Sequence, residues 1–195
     1  MPDTRRTRPD TRAALREHAR RLFARHGYEG VSMRDIAGAL GIRQSAIYNH
    51  FPSKQHLLLD LMVGHMERLL SAMRDAVPEG LPPAGQLEAF TRFHVAYHID
   101  QPEDVFLAYM ELRSLEDPGR AEVIALRNQY ETTLRGILGA GQASGVFQVA
   151  EPALATRAIL AMLTGVTVWF RDGGPLNREQ VIEAYLGMVL RGVGR

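Results

Sequence analysis

A run of hydrogen-bonding side chains between residues 43 and 50 is the part of this sequence best equipped for chemistry. Its polar members are Arg43, Gln44, Ser45, Tyr48, Asn49 and His50, and none of them is acidic. A glutamine can pair through two hydrogen bonds with N6 and N7 of adenine, and an arginine can pair with O6 and N7 of guanine or with phosphate. These residue types therefore suit the exposed edges of base pairs.

Two short helices joined by a glycine are predicted to position those side chains. Ser32 can cap the first helix while Asp35 reaches back to it, and Gly41 can adopt the positive φ of a tight turn. Ile47 and Phe51 face inward from the second helix. This helix-turn-helix geometry lets the second helix enter the major groove of duplex DNA, about 12 Å wide, while the first braces against the backbone.

The two ends of the chain carry opposite charge. Residues 1–56 contain 11 Lys and Arg against 5 Asp and Glu, a balance of +6, and residues 57–195 contain 12 against 17, a balance of −5. Neutralisation of phosphates with release of counterions drives DNA affinity that is independent of sequence. A basic lobe on an acidic body therefore predicts a polyanionic partner at the N-terminal end, with a solvated basic face as the simpler alternative.

Helical periodicity extends along the whole sequence. Apolar residues recur at helical spacing and no alternating strand run is present, so we expect an all-α protein. The first helix is predicted over about residues 10–26, and a long fourth helix is predicted from a cap at Ser53 to about residue 77. Breakers then separate about five further helices, whose short connections favour a bundle of antiparallel neighbours.

Several classes of protein are disfavoured by composition. Cysteine is absent, which excludes disulfides, thiolate zinc sites and a thiol nucleophile. Neither a GxSxG nucleophile motif nor a phosphate-binding glycine loop after a strand is present, so we expect no enzyme activity and no cofactor. The uncharged apolar stretch at residues 158–170 is shorter than the roughly 20 residues that cross a bilayer. With no secretory signal either, we expect a cytoplasmic protein without a membrane segment.

His94 and His98 share one helix face at a spacing that can hold a metal. Val95 stands where a metalloprotease motif has its glutamate, and no third ligand is evident. We therefore predict no metal site.

At this point the chain resembles a known family. The segments ARRLFARHGYEGVSMRDIAGALGI and AIYNHFPSKQHLL are similar to the DNA-binding domain of the TetR family of bacterial repressors, over roughly residues 11–60. The residues that carry the resemblance are Phe23, Gly27, Tyr28, Ser32, Met33, Arg34, Ile36, Ala37, Gly41, Tyr48, His50, Phe51 and Lys54.

The resemblance implies roles for individual residues. Arg34 would reach DNA from the first helix of the motif, and Gln44 and Ser45 would approach bases. The residues that would hold phosphates are Tyr48, His50 and Lys54. The place of Lys54 beside a helix N-terminus, which favours anions, supports this role.

Two positions depart from the family pattern. Arg43 stands where many members have a serine N-cap, and Asn49 stands where several have an aromatic residue. The first change weakens the start of the helix and adds a positive charge beside the groove. For this reason the preferred DNA sequence cannot be copied from a relative.

The resemblance also implies two domains, a helix-turn-helix DNA-binding domain over residues 1–56 and a helical ligand-binding and dimerisation domain over residues 57–195. The segment PALATRAILAMLTGVTVWF is apolar nearly all round, which means burial on both sides. TetR-like proteins form a four-helix dimer interface from their two C-terminal helices, and a large single core is the alternative. The predicted interface residues are Ile159, Leu163, Val166, Val181, Tyr185, Met188 and Val189.

The middle helices are rich in aromatic residues with polar tips, which either line a pocket or form plain core. The predicted ligand-binding residues are Met62, Phe93, His94, Tyr97, Phe106, Tyr109, Met110, Arg113, Tyr130 and Trp169. This part of the chain is similar to regulators of fatty-acid and sterol breakdown that bind acyl-CoA thioesters. Several such relatives have further aromatic and basic residues just before Trp169, where Thr164, Gly165 and Val168 stand here. Arg113 and Arg171 are candidate partners for an anion or surface ion-pairing residues.

Together these features predict a homodimeric repressor that binds operator DNA and is released by a small, hydrophobic or acyl-CoA-like effector. The long fourth helix is the expected lever between the two lobes. A chromosome-organising or cell-division protein on the same fold, with DNA and a protein partner but no effector, is the alternative.

Overall fold

The computed structural model describes residues 11–194. Within that range the chain forms ten α-helices and one short 3-10 helix and no strand, which confirms the predicted all-α class. The helices are α1 (Thr11–His26), α2 (Met33–Leu40), α3 (Gln44–Tyr48), α4 (Lys54–Ala76), α5 (Pro83–Asp100), α6 (Pro102–Met110), α7 (Asp117–Ala143), α8 (Pro152–Thr164), α9 (Val166–Trp169) and α10 (Arg178–Gly192), with the 3-10 helix at Leu112–Ser114. Residue 10, where the first helix was expected to begin, lies outside the described residues.

The N-terminal three helices form by the predicted local interactions. The Ser32 hydroxyl accepts a hydrogen bond from the Asp35 amide at 3.2 Å, and the Asp35 carboxylate accepts one from the Ser32 amide at 2.8 Å, so α2 begins with a capping box. Gly41 ends α2 with a φ of +66°. Arg43 precedes α3 without a side-chain capping bond to any described residue, as its departure from the family pattern predicts.

The long helix α4 joins the N-terminal helices to the rest of the protein. Ser53 caps it by accepting a hydrogen bond from the His56 amide at 3.2 Å. Its first turns bury Leu57 and Leu58, and its later turns bury Met66 and Met73. One continuous apolar core therefore extends from α1 to the C-terminal bundle. The predicted domain boundary after residue 56 falls in the first turn of this helix.

The C-terminal bundle is organised around α5 and the 27-residue helix α7. Helix α10 packs along α5, where Arg178 pairs with Asp100 at 2.7 Å and Arg92 pairs with Glu183 at 2.5 Å. Helix α8 packs on both α5 and α7. This arrangement leaves α6 between the bundle and α1.

By length and composition alone, the apolar stretch Pro152–Trp169 is long enough to cross a membrane, with a mean hydropathy of 1.3 over 18 residues. This contrasts with the sequence expectation, which counted only the uncharged residues. The core helices of globular bundles can have the same length and composition. Here the stretch contains Arg157, and it buries Ile159 and Leu163 in the bundle.

Two glycines near the end of α7 make a matched test of core packing. A β-carbon at Gly141 would overlap the ring of Phe147, which is buried beside it, whereas a β-carbon at Gly139 would meet no described atom within 4 Å. We expect Gly141→Ala to lower the free energy of unfolding by about 1–3 kcal/mol through overpacking, and Gly139→Ala to raise it by about 0.5–1 kcal/mol through helix propensity. Urea unfolding measures both. Equal stability of the two variants would contradict the packing of Phe147 against α7.

Candidate functional site

The exposed face of α3 is the first candidate site. Arg43, Gln44, Ser45, Tyr48, Asn49 and His50 are all exposed. Ile47 and Phe51, four residues apart, are only 0% and 2% exposed and anchor the helix to the core. The fold therefore turns the polar side of α3 outward as one surface, which is the arrangement that contact with base edges requires.

One contact within this surface orders two of the predicted DNA-binding residues. The Gln44 side-chain amide donates a hydrogen bond to the Tyr48 hydroxyl at 3.2 Å, one turn along α3. Because Gln44 is at the first position of α3, its amide lies at the leading end of the helix. Arg34 is exposed on the first turn of α2.

Lys54 has a second role that its position in the sequence does not reveal. Its ammonium donates hydrogen bonds to the carbonyl oxygens of Tyr28 at 3.0 Å and Val31 at 3.1 Å, and it lies 4.0 Å from the centre of the Tyr28 ring. Lys54 therefore ties the start of α4 to the connection between α1 and α2. Its predicted contact with phosphate stays a prediction, and loss of Lys54 would also disturb this connection.

The second candidate site lies inside the bundle, where a chain of hydrogen bonds links four helices. The hydroxyl of Tyr130 on α7 lies 2.9 Å from Nδ1 of His94 on α5. Nε2 of His94 lies 3.1 Å from the hydroxyl of Thr164 on α8, which in turn lies 3.1 Å from the hydroxyl of Tyr109 on α6. His94 and Thr164 are buried, so this chain is a polar element within an apolar core.

Two further buried histidines, His98 and His65, lie near His94. The rings of His94 and His98 are stacked with centroids 3.7 Å apart, and His65 on α4 has an Nδ1 with no hydrogen-bond partner in the described part of the chain. Burial lowers the pKa of His65 to about 4 and that of His98 to about 3, and it lowers the pKa of His94 well below the ordinary value. All three imidazoles are therefore neutral at pH 7. Over residues 11–194, no group of three or more His, Cys, Asp or Glu is placed to hold a metal.

The predicted ligand-binding residues divide between the interior and an outer groove. Met62, His94 and Tyr130 are buried, and Phe93 and Tyr97 are half-buried. Phe106, Tyr109 and Met110 on α6 line a groove of about 580 Å³, together with Ala161, Thr164 and Val168. Trp169 is exposed beside it.

Neither predicted arginine is among the described residues that line this groove. Arg113 is exposed on the 3-10 helix, and the guanidinium of Arg171 donates hydrogen bonds to the carbonyl oxygens of Phe170 at 2.6 Å and Val168 at 3.1 Å.

An inner cavity of about 70 Å³ shares Tyr109 with the groove and is also lined by the predicted residue Tyr130. Sequence reasoning missed three further residues that line it, His65, His98 and Arg127. Arg127 lies one turn before Tyr130 on α7, and this spacing is the signal that could have placed both on one face.

The predicted dimer-interface residues are mostly buried within a single protomer. Leu163, Val166, Val181 and Val189 are at most 1% exposed and Ile159 is 8% exposed, so these side chains belong to the protomer's own core. Tyr185 is half-buried and accepts a hydrogen bond from Trp169 Nε1 at 3.2 Å. Exposed apolar side chains on or beside the C-terminal helices include Leu154, Val168, Trp169, Leu176 and Met188. The interface assignment itself stays a prediction.

Comparison with known proteins gives two family matches. Residues 15–61 match the family described as "Bacterial regulatory proteins, tetR family", and residues 80–193 match "Tetracyclin repressor-like, C-terminal domain".

Individual proteins are similar over nearly the whole chain. The HTH-type transcriptional repressor KstR2 of Mycobacterium tuberculosis is 30% identical over 93% of this chain and 92% of its own length. The crystal structure of the TetR family transcriptional regulator PfmR from Thermus thermophilus is 36% identical, with a TM-score of 0.82, over 93% of this chain and 99% of that one. The structure of AibR in complex with isovaleryl coenzyme A and operator DNA is 25% identical, with a TM-score of 0.85, over 92% of this chain and 97% of that one.

The exposed position of Gln44 on α3 predicts that this residue contributes to the choice among DNA sequences. Replacement of Gln44 by alanine removes a side-chain amide at the leading end of α3, so we expect preference among DNA sequences to fall by about 1–3 kcal/mol at one base pair. Fluorescence anisotropy with a panel of single-base variants of the bound sequence measures this. Glu183→Gln, far along the chain on α10, is the control. An unchanged preference profile in Gln44→Ala would contradict the assignment.

The buried histidines predict sensitivity to acid. Because the unfolded chain binds protons below about pH 6.5 while folded His65 stays neutral to about pH 4, the free energy of unfolding falls as the pH falls through this window. Replacement of His65 by methionine removes about one such proton, so the slope between pH 6 and 4.5 should decrease by about 1.4 kcal/mol per pH unit. Urea unfolding at several pH values measures the slope. An unchanged slope would show that His65 titrates alike in both states.

Proposed function

This chain belongs to the TetR family of bacterial regulatory proteins, and from that premise we propose that it is a homodimeric repressor released from operator DNA by a small hydrophobic or acyl-CoA-like effector. It is a helix-turn-helix DNA-binding regulator of transcription, and its relatives are regulators and not enzymes. The observation that carries the proposal is the exposed polar face of α3, anchored by buried Ile47 and Phe51.

The predicted DNA-binding residues are proposed to form two groups, one that contacts bases and one that contacts phosphates. Arg43, Gln44, Ser45 and Asn49 would meet base edges, because they lie on the face of α3 that can enter the major groove. The residues proposed to meet phosphates are Arg34, Tyr48, His50 and Lys54. The basic N-terminal lobe would supply affinity for DNA of any sequence.

The effector is proposed to occupy the groove beside α6. The groove is apolar, and its volume of about 580 Å³ is in the range of small-molecule sites. The similarity of the chain to AibR, whose complex contains isovaleryl coenzyme A and operator DNA, supports an acyl-CoA-like effector. Its similarity to KstR2, described as a ketosteroid transcriptional regulator, supports a hydrophobic one.

Helix α6 connects this groove to the DNA-binding helices through a buried carboxylate. Asp104 on α6 is 2% exposed and accepts a hydrogen bond from Arg20 on α1 at 2.9 Å, and Arg68 on α4 lies 3.4 Å away. Burial acts to lower the pKa of Arg20, but the hydrogen bond and charge of Asp104, followed by those of Glu17, raise it above its ordinary value. The neighbouring residues Val105 and Phe106 line the groove.

The other end of α6 is attached to the DNA-binding helices as well. Glu111, which is buried, accepts a hydrogen bond from the backbone amide of Tyr28 at 3.0 Å and one from the Ser114 hydroxyl at 2.8 Å. Gln55 at the start of α4 donates to the Ser114 carbonyl at 2.7 Å. A ligand that displaces α6 would therefore displace α1 and the loop before α2.

We propose that α6 acts with α4 as the lever of the switch. A ligand changes DNA affinity only as far as it binds one state better than the other, and DNA must then weaken ligand binding by the same factor. In the dimer, a shift of α1 in each protomer would change the spacing of the two α3 helices. This spacing must match one turn of DNA, about 34–36 Å, or a multiple of it.

The dimer is proposed to form through α8, α9 and α10. The exposed side chains Leu154, Val168, Trp169 and Met188 would supply the contact between protomers, over a layer of buried predicted residues such as Leu163 and Val189. The proposed place of action is the cytoplasm, where operator DNA is present.

Binding to a labelled fragment of the DNA upstream of the protein's own gene, measured by fluorescence anisotropy with and without isovaleryl-CoA, tests this function. We expect binding that falls with rising salt and is weakened by the acyl-CoA. Asp104→Asn should reduce the ligand-induced change in DNA affinity by about tenfold, because the charge that holds α6 to Arg20 is lost. The control Glu183→Gln breaks an exposed ion pair with Arg92 and should keep the full change.

Absence of binding to any upstream fragment at low salt would contradict the repressor. Binding that no acyl-CoA weakens would contradict the proposed effector class. Full ligand response in Asp104→Asn would show that α6 does not transmit the signal.

A further inference from the structure

Among the described residues 11–194, one arginine inside the bundle has no anionic partner. Arg127 on α7 is half-buried, and within that range it forms no ion pair or side-chain hydrogen bond. Its guanidinium lies 4.6 Å from the centre of the Tyr109 ring, which holds it in a defined position by a cation–π contact. An arginine that is ordered and partly desolvated without a carboxylate is prepared to bind an anion.

The nearby acidic residue on the same face does not neutralise it. Glu131, one turn further along α7, lines the same cavity as Arg127. Its carboxylate lies 3.7 Å from the guanidinium of Arg157 on α8 and is therefore already paired. The other polar residues of the cavity are Tyr109, His65, His98 and Tyr130, and the last three are neutral at pH 7. Among the described residues, Arg127 thus supplies the unpaired charge of this cavity.

Tyr109 separates this charge from the apolar groove. Its side chain lines both the inner cavity and the groove, and its hydroxyl is held by Thr164 at 3.1 Å. The groove side presents Phe106, Met110 and Val168. The apolar surface of the groove therefore ends at the Tyr109 side chain, and the Arg127 guanidinium lies against the ring of that tyrosine.

We propose that Arg127 is the anion-binding residue of the effector site, and that the effector is an amphiphile with its hydrocarbon in the groove and its anionic group at Arg127. This inference rests on the proposed function and adds the chemical class of the polar end. Tyr109 would exchange its hydrogen bond with Thr164 for one with the ligand. The neutral imidazole of His65, whose Nδ1 is unpaired in the described structure, would supply a further hydrogen bond.

An anionic oxygen on a hydrocarbon has two sources, the carboxylate of a free acid and the phosphates of an acyl-CoA. Isothermal titration calorimetry with octanoate, octanoyl-CoA and 1-octanol distinguishes them. We expect at least one anionic probe to bind the wild-type protein more tightly than 1-octanol does. Arg127→Gln should weaken that probe about tenfold or more and leave 1-octanol unchanged.

Two further variants make the comparison specific. Arg127→Lys keeps the charge and should retain part of the affinity. Arg135→Gln, two turns further along α7, removes an exposed arginine that donates a hydrogen bond to the Thr132 hydroxyl, and it should change neither anionic nor neutral binding. Thermal unfolding of each variant shows whether the fold is kept.

The proposal is overturned if neither anionic probe binds better than 1-octanol, or if Arg127→Gln binds the preferred anion as the wild type does. The same samples, titrated into labelled upstream DNA, separate this result from the proposed function. Loss of anion binding in Arg127→Gln without any effect of the anion on DNA supports the site and contradicts the effector role. Release of DNA by a probe that binds Arg127→Gln as tightly as the wild type supports the effector role and contradicts the Arg127 site.

Discussion

Two buried carboxylates, one on α6 and one directly after it, hold the DNA-binding helices in position on the C-terminal bundle. A carboxylate removed from water is stable only when it is paired and hydrogen-bonded. Asp104 finds its partners in Arg20 and Arg68, and Glu111 finds its partners in the Tyr28 amide and the Ser114 hydroxyl. Because Arg20 lies on α1 and Tyr28 lies in the connection before α2, each buried carboxylate completes its set of partners only when the DNA-binding helices are docked on the bundle.

Because of these hydrogen bonds, the DNA-binding helices can dock on the bundle in only a narrow range of positions. Apolar packing alone would tolerate small slides of α1 over α6, since dispersion contacts vary smoothly with position. Hydrogen bonds to buried charges depend more steeply on geometry and cost more when broken. Rigid attachment at both ends of α6 is therefore suited to passing a displacement from the groove to α3, which is itself anchored to the core by Ile47 and Phe51.

The interior of the bundle contains several polar side chains within an otherwise apolar core. The hydrogen bonds from Tyr130 through His94 and Thr164 to Tyr109 are completed within the bundle, whereas buried His65 Nδ1 has no hydrogen-bond partner among the described residues and half-buried Arg127 has no ion-pair partner among them. A buried polar atom without a partner is costly, and a ligand that bonded to His65 Nδ1 would remove that cost. Burial also keeps the histidines neutral, and Glu131 is paired with Arg157, so Arg127 is the unpaired charged group of the inner cavity among the described residues.

Local signals determined the all-helical fold, the helix-turn-helix and the outward face of α3, because capping residues, a glycine turn and helical periodicity act within a few residues of one another. The capping box at Ser32 and the uncapped start of α3 at Arg43 were predictable for the same reason. The tertiary structure alone decided which polar residues meet, because the contacts of Asp104 and Arg127 are with residues distant in the sequence, on other helices. It also decided that Leu163 and Val189 serve the protomer's own core, since an apolar helix shows that burial is needed but not which neighbour provides it.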